Sequence, residues 1–222
     1  MEQLFDTKGF PRRIFVTGIG TDVGKSWATG WLARTLNEYG LKTITQKFIQ
    51  TGCTGSSEDI ELHRRIMGTG NLPRDIDRTT APVIFTYPAS PDLAARIDKR
   101  EIDFQAIENA AEKLLEEYGC VLTEGAGGVC VPLKEDYLTI DYIRDRKLPA
   151  ILVTNGALGS ISHTLLALNA LKTEGIRVLM VIYNPHFDAD EIICSDTRDY
   201  LRKWLGKHLP QTIYVEMPGQ IV

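Results

Sequence analysis

Ile14-Phe15-Val16-Thr17-Gly18-Ile19-Gly20-Thr21-Asp22-Val23-Gly24-Lys25-Ser26 is the stretch that decides how the rest of the chain is interpreted. Its first three residues are apolar and predict a buried strand, and residues 27–39 carry apolar side chains at helical spacing. A strand, a glycine-rich loop, Gly-Lys-Ser and a helix together are typical of a phosphate-binding loop. Glycines let several backbone N–H groups point at one anion, and the helix N-terminus adds partial positive charge. In such a loop Lys25 reaches the terminal phosphates and the Ser26 hydroxyl binds a divalent cation.

The loop is longer than the common form, because five residues rather than four separate Gly18 from Gly24. The alternative interpretation is an ordinary tight turn between a strand and a helix. The apolar strand before the loop and the amphipathic helix after it favour the phosphate-binding interpretation.

Composition restricts the possible partners and the compartment. The chain has 222 residues and a net charge of −4, and no basic run interrupts the sequence, which argues against nucleic acid as the main partner. No apolar run approaches the length of a membrane span, and residues 1–11 lack the apolar core of a signal peptide. The four cysteines form no Cys-x-x-Cys pair, so neither zinc nor a disulfide framework is indicated, and Cys120 and Cys130 lie in apolar runs that predict buried thiols. We therefore expect a cytoplasmic protein without a membrane partner.

Strands and helices alternate along most of the chain. Strands are predicted at 14–16, 41–46, 83–85, 120–123, 149–153, 176–182 and 212–215, and helices at 27–39, 58–67, 103–118, 138–146, 160–173 and 188–205, with an irregular segment at 71–91. The strands are apolar runs rather than apolar–polar alternations, which is typical of a parallel sheet covered on both faces. The predicted fold is α/β, a P-loop NTPase-like three-layer sandwich with a mostly parallel sheet, and residues 1–222 are predicted to form a single domain.

Polar and glycine-rich segments follow these strands. They comprise 18–26, 47–51, 124–128, 155–160 and Asn184. Ligands of such sheets bind at the carboxyl ends of the strands, so we expect these segments to converge at one edge.

Four features of these segments suit phosphoryl transfer, which depends on positioning and charge neutralisation. Ser26, Asp59 and Glu124 offer the oxygen ligands that Mg²⁺ prefers, and Lys47 can meet a transferred phosphoryl group or an anionic substrate. The backbone N–H groups of 125–128 can approach a ligand closely.

Each feature also has an interpretation without catalysis. Asp59 could favour its helix N-terminus through the dipole, Glu124 could be an exposed turn residue, and Lys47 could extend from a strand end into solvent. Asp59 and His63 share a helix face and could form a metal pair, but a solvated face is the favoured interpretation.

Motifs throughout the chain resemble those of the dethiobiotin synthetase family. They are the long loop of 18–26, Lys47-Phe-Ile-Gln-Thr51-Gly52, Ser57-Glu-Asp59, Glu124-Gly-Ala-Gly-Gly128 followed by Val131-Pro132-Leu133, Leu158-Gly159, Asn184 and Glu216-Met-Pro218. Phe48 stands where that family carries proline, and Asp92 stands where it carries histidine after Ser-Pro.

The resemblance implies an ATP- and Mg²⁺-dependent ligase that carboxylates 7,8-diaminopelargonic acid with CO₂ or bicarbonate and closes the cyclic urea of dethiobiotin. One amine becomes a carbamate, ATP phosphorylates it to a mixed anhydride, and the second amine displaces phosphate. The resemblance also implies a homodimer, in which the helix start after Leu158 receives the substrate carboxylate of the neighbouring chain's site.

The resemblance assigns a role to each site residue. Catalytic roles fall to Lys47, Lys25 and Thr21; nucleotide binding to Asp22, Val23, Gly24, Lys25, Ser26, Trp27, Asp59, Glu124, Gly125, Ala126, Gly127, Asn184, Pro185 and Pro218; substrate binding to Thr51, Gly127, Leu158, Gly159 and Ser160; and metal binding to Ser26, Asp59 and Glu124.

Two other functions remain open on sequence grounds. Another amide-forming ATPase of this fold is one, although such enzymes usually carry a glutaminase domain for which 222 residues leave no room. A regulatory or partitioning ATPase switch is the other, although its loop needs a second lysine where Gly20 stands.

Overall fold

The central sheet consists of parallel strands, most of which are apolar runs of sequence. The protein is described by a computed structural model that covers residues 9–219. Its strands are β1 (Arg13–Gly18), β2 (Thr43–Lys47), β3 (Gln50–Thr51), β4 (Ile84–Phe85), β5 (Cys120–Gly128), β6 (Pro132–Lys134), β7 (Tyr137–Leu138), β8 (Ala150–Asn155), β9 (Val178–Asn184) and β10 (Ile213–Glu216). Six of them form one sheet in the order β10-β9-β8-β1-β5-β2, and every neighbouring pair is parallel. The predicted α/β fold with a mostly parallel sheet is therefore confirmed.

Side chains cap the N-termini of some of the helices. The helices are α1 (Lys25–Glu38), α2 (Glu58–Met67), α3 (Pro73–Ile76), α4 (Pro91–Ile97), α5 (Phe104–Glu117), α6 (Thr139–Asp145), α7 (Ser160–Thr173) and α8 (Glu191–His208). Ser57, which precedes α2, accepts a hydrogen bond from the Ile60 backbone N–H at 3.2 Å. Asp103 and Asp190 cap α5 and α8 in the same way. Each such cap stabilises its helix by about 1 kcal/mol.

Successive residues of a strand point to opposite faces of the sheet, and the core is divided accordingly. Phe15 and Leu152 belong to one buried cluster, whereas Ile14, Val16 and Ile151 belong to the other. Both faces are thus covered by side chains from helices, which gives the three layers that the apolar runs predict.

Phe48 belongs to the first of these clusters. Its ring centroid lies 5.3 Å from that of Phe15 and 4.4 Å from that of Tyr142. The side chain is fully buried, so the phenylalanine that stands here in place of proline fills part of this core cluster next to the end of β2.

The structure differs from the sequence prediction in several places. β5 continues through Gly128 instead of ending at Thr123, because Gly128 pairs with Gly18 of β1 beyond an irregularity in the register. The segment 71–91 contains α3 and β4, and α4 begins at its last residue. Of these elements, only β4 was predicted. Cys130 lies in the turn after β5 and is exposed, so its predicted burial is wrong, whereas Cys120 is buried as predicted.

All four cysteines lie within the described range and are free thiols. Among residues 9–219 no helix is long and apolar enough to cross a membrane. That residues 1–222 form one domain stays a prediction.

Candidate active site

The loop between β1 and α1 has the conformation of an anion-binding site. Asp22 and Gly24 adopt positive φ angles of 57° and 90°, which turns the chain sharply into the helix. A Cβ atom on Gly18 would lie 2.7 Å from Val23 Cγ2, so only glycine fits there. The Lys25 ammonium folds back over the loop and donates to the Gly20 carbonyl at 2.8 Å. The N-terminus of α1 and one cation therefore point into the same space.

Lys25 is largely buried in this position. Burial lowers the pKa of its ammonium to about 8, although the nearby Glu124 carboxylate acts to raise it. A bound phosphate would supply the anionic partner that restores the charged form.

Lys47 and Glu124 are brought together by the pairing of their strands. The two residues are direct neighbours in the register between β2 and β5. The Phe48 N–H donates to the Glu124 carbonyl at 2.8 Å, and the Lys47 N–H donates to the Thr80 carbonyl at 2.7 Å. The last residue of β2 is thus fixed beside the carboxylate that follows the apolar part of β5.

Oxygen ligands from three elements meet at this point. Ser26 Oγ lies 2.6 Å from Asp59 Oδ1 and 2.9 Å from Glu124 Oε1. Within residues 9–219 no group of three His, Cys, Asp or Glu side chains could hold a metal ion by itself. One hydroxyl and two carboxylates suit a hard cation that completes its shell with water and phosphate oxygens, which is how Mg²⁺ binds in phosphoryl-transfer sites.

The Lys47 ammonium lies between the same two carboxylates. Its Nζ is 2.5 Å from Asp59 Oδ2 and 2.7 Å from Glu124 Oε1. Burial opposes the charge on Lys47, but the two carboxylates outweigh it and raise the pKa of the ammonium. Burial likewise disfavours the Glu124 carboxylate, but Lys47 and His63 hold its pKa well below the usual range. Lys47 and Glu124 are therefore both ionised at neutral pH.

His63 is the site residue that the sequence interpretation placed wrongly. It is fully buried instead of facing solvent, and its Nε2 lies 2.6 Å from Glu124 Oε2. The helical spacing between Asp59 and His63 was visible in the sequence, but the packing of α2 against α1, which buries that face, was not.

A cleft of about 1180 Å³ surrounds this cluster at the carboxyl edge of the sheet. The predicted site residues that line it are Thr21, Asp22, Gly24, Lys25, Ser26, Trp27, Lys47, Thr51, Asp59, Glu124, Ala126, Gly127, Asn184 and Pro218. The predicted convergence of segments 18–26, 47–51, 124–128 and Asn184 is thereby observed.

Three further predicted site residues do not line the cleft but lie next to residues that do. The buried Val23 offers its carbonyl to the Asn184 side chain at 3.0 Å, and the Gly125 carbonyl accepts from Lys47 at 3.3 Å. Pro185 begins the 3-10 turn that follows Asn184.

Leu158, Gly159 and Ser160 do not line the cleft of their own chain. Leu158 is 88% exposed, and Gly159 precedes α7 with a φ of 94°. Ser160 Oγ is buried and has no hydrogen-bond partner within the described part of the chain. A single chain therefore does not unite the predicted substrate-binding residues.

Several other residues line the cleft although no role was assigned to them from the sequence. They are Ile49, Gln50, Leu62, Pro88, Val131, His186, Phe187, Met217 and Gly219. Most are apolar, and their role follows from the folded surface rather than from a local pattern.

The parallel sheet, the glycine loop with Lys25 and the Ser26–Asp59–Glu124 cluster define a P-loop nucleoside triphosphate-binding protein. A family model described as AAA domain matches residues 12–210. The MinC:MinD cell division protein complex of Aquifex aeolicus contains a similar chain, with a TM-score of 0.54 and 16% identity over 95% of this chain and 82% of that one, a likeness that concerns the fold alone.

Two relatives are far more similar in sequence. ATP-dependent dethiobiotin synthetase BioD 2 of Pasteurella multocida is 46% identical over 91% of this chain and 95% of its own length. ATP-dependent dethiobiotin synthetase BioD of Chlorobaculum tepidum is 47% identical over 87% of this chain and 81% of its own length. The chain belongs to the dethiobiotin synthetase family, as the sequence motifs indicated.

Proposed function

We propose that this chain is an ATP-dependent ligase that forms dethiobiotin from 7,8-diaminopelargonic acid and CO₂. Family membership supports the reaction, and one observation in the site carries it for this chain. The buried Lys47 ammonium lies at the end of β2, in the same cleft as Lys25 and the phosphate-binding loop. This arrangement suits the phosphorylation of an anionic carbamate, because both the donor phosphates and the acceptor carry negative charge.

The proposed reaction has three steps that balance in atoms and charge. One amine of the substrate adds to CO₂ and loses a proton to give the carbamate. A carbamate oxygen attacks the γ-phosphorus of ATP, ADP leaves, and a carbamic–phosphoric anhydride forms. The second amine attacks the carbonyl carbon and loses a proton to solvent, phosphate leaves, and the cyclic urea is closed.

Lys25 and Lys47 have different tasks in this scheme. Lys25 and the backbone N–H groups of 18–26 hold the β- and γ-phosphates, and the negative charge raises the pKa of Lys25 from about 8. Lys47 stabilises the carbamate and the charge that develops during transfer. Bound Mg²⁺, held by Ser26, Asp59 and Glu124, would neutralise charge on the phosphates.

The remaining cleft residues fit the two ends of the bound molecules. Ile49, Leu62 and Val131 present an apolar surface to the alkyl chain of the diamine, and Thr21 and Thr51 offer hydroxyls to its amines. At the other end lie Asn184, Pro185 and Pro218, to which we assign recognition of the adenine base.

A homodimer with a cytoplasmic location is part of the proposal. The exposed Leu158 and the unpartnered hydroxyl of Ser160, both beside the N-terminus of α7, support a role in the neighbouring chain's site, and the free thiols support the compartment. Sedimentation equilibrium is expected to give twice the mass of the chain. A mass of one chain under assay conditions would contradict the dimer.

Phosphate release from Mg·ATP with bicarbonate, with and without 7,8-diaminopelargonic acid, tests the function. We expect strong release only when the diamine is present. Release that ignores the diamine would overturn the assigned substrate and would favour a regulatory ATPase with the same fold.

A further inference from the structure

His63 is a fully buried polar side chain that the proposed reaction does not use directly. It lies on α2, one turn after Asp59, and its ring bridges two strands of the sheet. Nε2 lies 2.6 Å from Glu124 Oε2 on β5, and Nδ1 lies 3.0 Å from Thr45 Oγ1 on β2. Both ring nitrogens are therefore engaged.

The direction of the first hydrogen bond follows from the state of Glu124. Its Oε1 lies 2.7 Å from the Lys47 ammonium in a buried ion pair, so the group is present as a carboxylate. An ionised carboxylate only accepts hydrogen bonds, so Nε2 carries the proton and donates. The assignment of the proton rests on this network rather than on an observed hydrogen.

Thr45 fixes the other side of the ring. Its hydroxyl oxygen accepts from Arg64 Nη1 at 2.9 Å and lies 3.0 Å from Nδ1 of His63. Arg64 is itself paired with Asp75, at 2.8 Å between Nη2 and Oδ1. The hydrogen-bond partners of both ring nitrogens are thus fixed by further contacts of their own.

The backbone under His63 has no room to shift. A Cβ atom on Gly30 of α1 would lie 3.2 Å from the Cα of His63 and 3.1 Å from the Ile66 side chain. The two helices touch at a glycine, so the position of the imidazole is set by close packing.

The two oxygens of Glu124 have separate partners as a result. Oε2 faces His63, whereas Oε1 faces Ser26 and Lys47. Rotation of the carboxylate would exchange these partners and would move the oxygen that is available to a cation.

We propose that His63 is a positioning residue that locks the carboxylate of Glu124 with Oε1 turned toward the cation and phosphoryl groups. The inference rests on the proposed function to the extent that Glu124 binds the divalent cation. Outer hydrogen-bond partners of metal ligands typically change metal affinity by about 10- to 100-fold when removed.

Two amide variants separate the hydrogen bond from mere filling of space. The amide nitrogen of His63→Gln extends as far as Nε2 and can still donate to Glu124. The amide of His63→Asn is one methylene shorter and extends only as far as Nδ1. Tyr142→Phe is the control, because it removes a buried hydroxyl that contacts Arg13 and Glu108 at the opposite edge of the sheet.

Mn²⁺ affinity is measured by electron paramagnetic resonance on each full-length chain with ADP bound, and thermal unfolding is recorded beside it. We expect His63→Asn to weaken Mn²⁺ binding by about tenfold or more, with His63→Gln and Tyr142→Phe within about threefold of the parent. We also expect kcat to fall in His63→Asn with little change in the KM for the diamine. Unchanged Mn²⁺ affinity in His63→Asn, or equal loss in both amide variants, would overturn the proposal.

A measurement on the unaltered chain guards against a variant that does not fold. In nitrogen-15 spectra of the imidazole rings, we expect the buried His63 to carry a proton on Nε2. We also expect its resonance to move when Mg²⁺ is added to the ADP complex. A resonance that stays fixed while Mg²⁺ binds would also overturn the proposal. Lack of a diamine response would count against the proposed function alone, because the Mn²⁺ measurement contains no diamine.

Discussion

Replacing Lys47 by methionine is expected to lower the kcat of diamine-dependent phosphate release by about 10³-fold. Lys47 is 5% exposed, and its ammonium lies between the carboxylates of Asp59 and Glu124. A water molecule in its place would not supply the lost positive charge. Methionine keeps most of the volume but leaves the carbamate and the transferred phosphoryl group without that charge. Binding of ADP to the glycine loop should remain, because Lys25 and the loop are intact. Stopped-time phosphate assays and calorimetric ADP titration measure the two quantities.

Arg13→Met is the matched control for Lys47→Met. Arg13 is a partly buried cation in an ion pair, with Nη1 2.6 Å from Glu108, but it begins β1 at the amino edge of the sheet. Its loss should lower the temperature of unfolding while kcat stays within about threefold of the parent, since the contacts of the cleft are distant and independent. Equal loss of kcat in both variants would mean that Lys47 acts only through stability.

Gly24→Ala is expected to weaken the binding of ATP by about 100-fold, because holding a non-glycine residue in the left-handed conformation of the loop costs about 1–3 kcal/mol, and each 1.4 kcal/mol is tenfold in affinity. The residue has a φ of 90°, and a Cβ atom there would lie 2.1 Å from Asn184 Nδ2. Asn184 has little freedom to retreat, because its amide donates to the Val23 carbonyl and accepts from the His186 N–H, both at 3.0 Å. The substitution therefore disturbs the phosphate loop and the base end of the cleft together.

Gly20→Ala provides the comparison within the same loop. Nothing lies within 4 Å of a Cβ atom built on Gly20, and its φ is not in the left-handed range. Equilibrium dialysis with labelled ATP should give an affinity within about threefold of the parent for this variant, as expected for a substitution that makes no new contact. If Gly24→Ala bound ATP as well as Gly20→Ala does, the described shape of the loop would be wrong.

The sheet was predictable because its strands are continuous apolar runs separated by helical patterns. Such runs indicate burial on both faces, and burial on both faces in this order indicates a parallel sheet. The continuation of β5 through Gly128 was not predictable, since glycines read locally as a turn and only the pairing with Gly18 keeps them in the strand.

The parts of the site that follow strands were predictable in the same way. Lys47 and Glu124 stand at the ends of two predicted strands, and Ser26 stands at the end of the loop that follows a third, so a parallel sheet brings them to one edge. His63 was not predictable as their neighbour, because its burial depends on the contact of α1 with α2 at Gly30. Leu158 and Ser160 could be assigned to substrate binding only by resemblance. No local sequence pattern indicates that they lie outside the cleft of their own chain.

The likeness to the MinC:MinD complex does not by itself distinguish a switch from a synthetase, since it concerns the fold alone. The residues of the site distinguish them better. Gly20 stands where the switch interpretation requires a second lysine, and the cation beside the phosphate loop comes instead from Lys47 at the end of β2.

The formation of labelled dethiobiotin is the most direct test of the proposed ligase reaction. The chain is incubated with Mg·ATP, ¹³C-bicarbonate and 7,8-diaminopelargonic acid, and the products are analysed by mass spectrometry and by phosphate assay. We expect dethiobiotin that carries ¹³C in its urea carbon, with equal amounts of phosphate and dethiobiotin. Phosphate released without labelled dethiobiotin would contradict the proposed reaction.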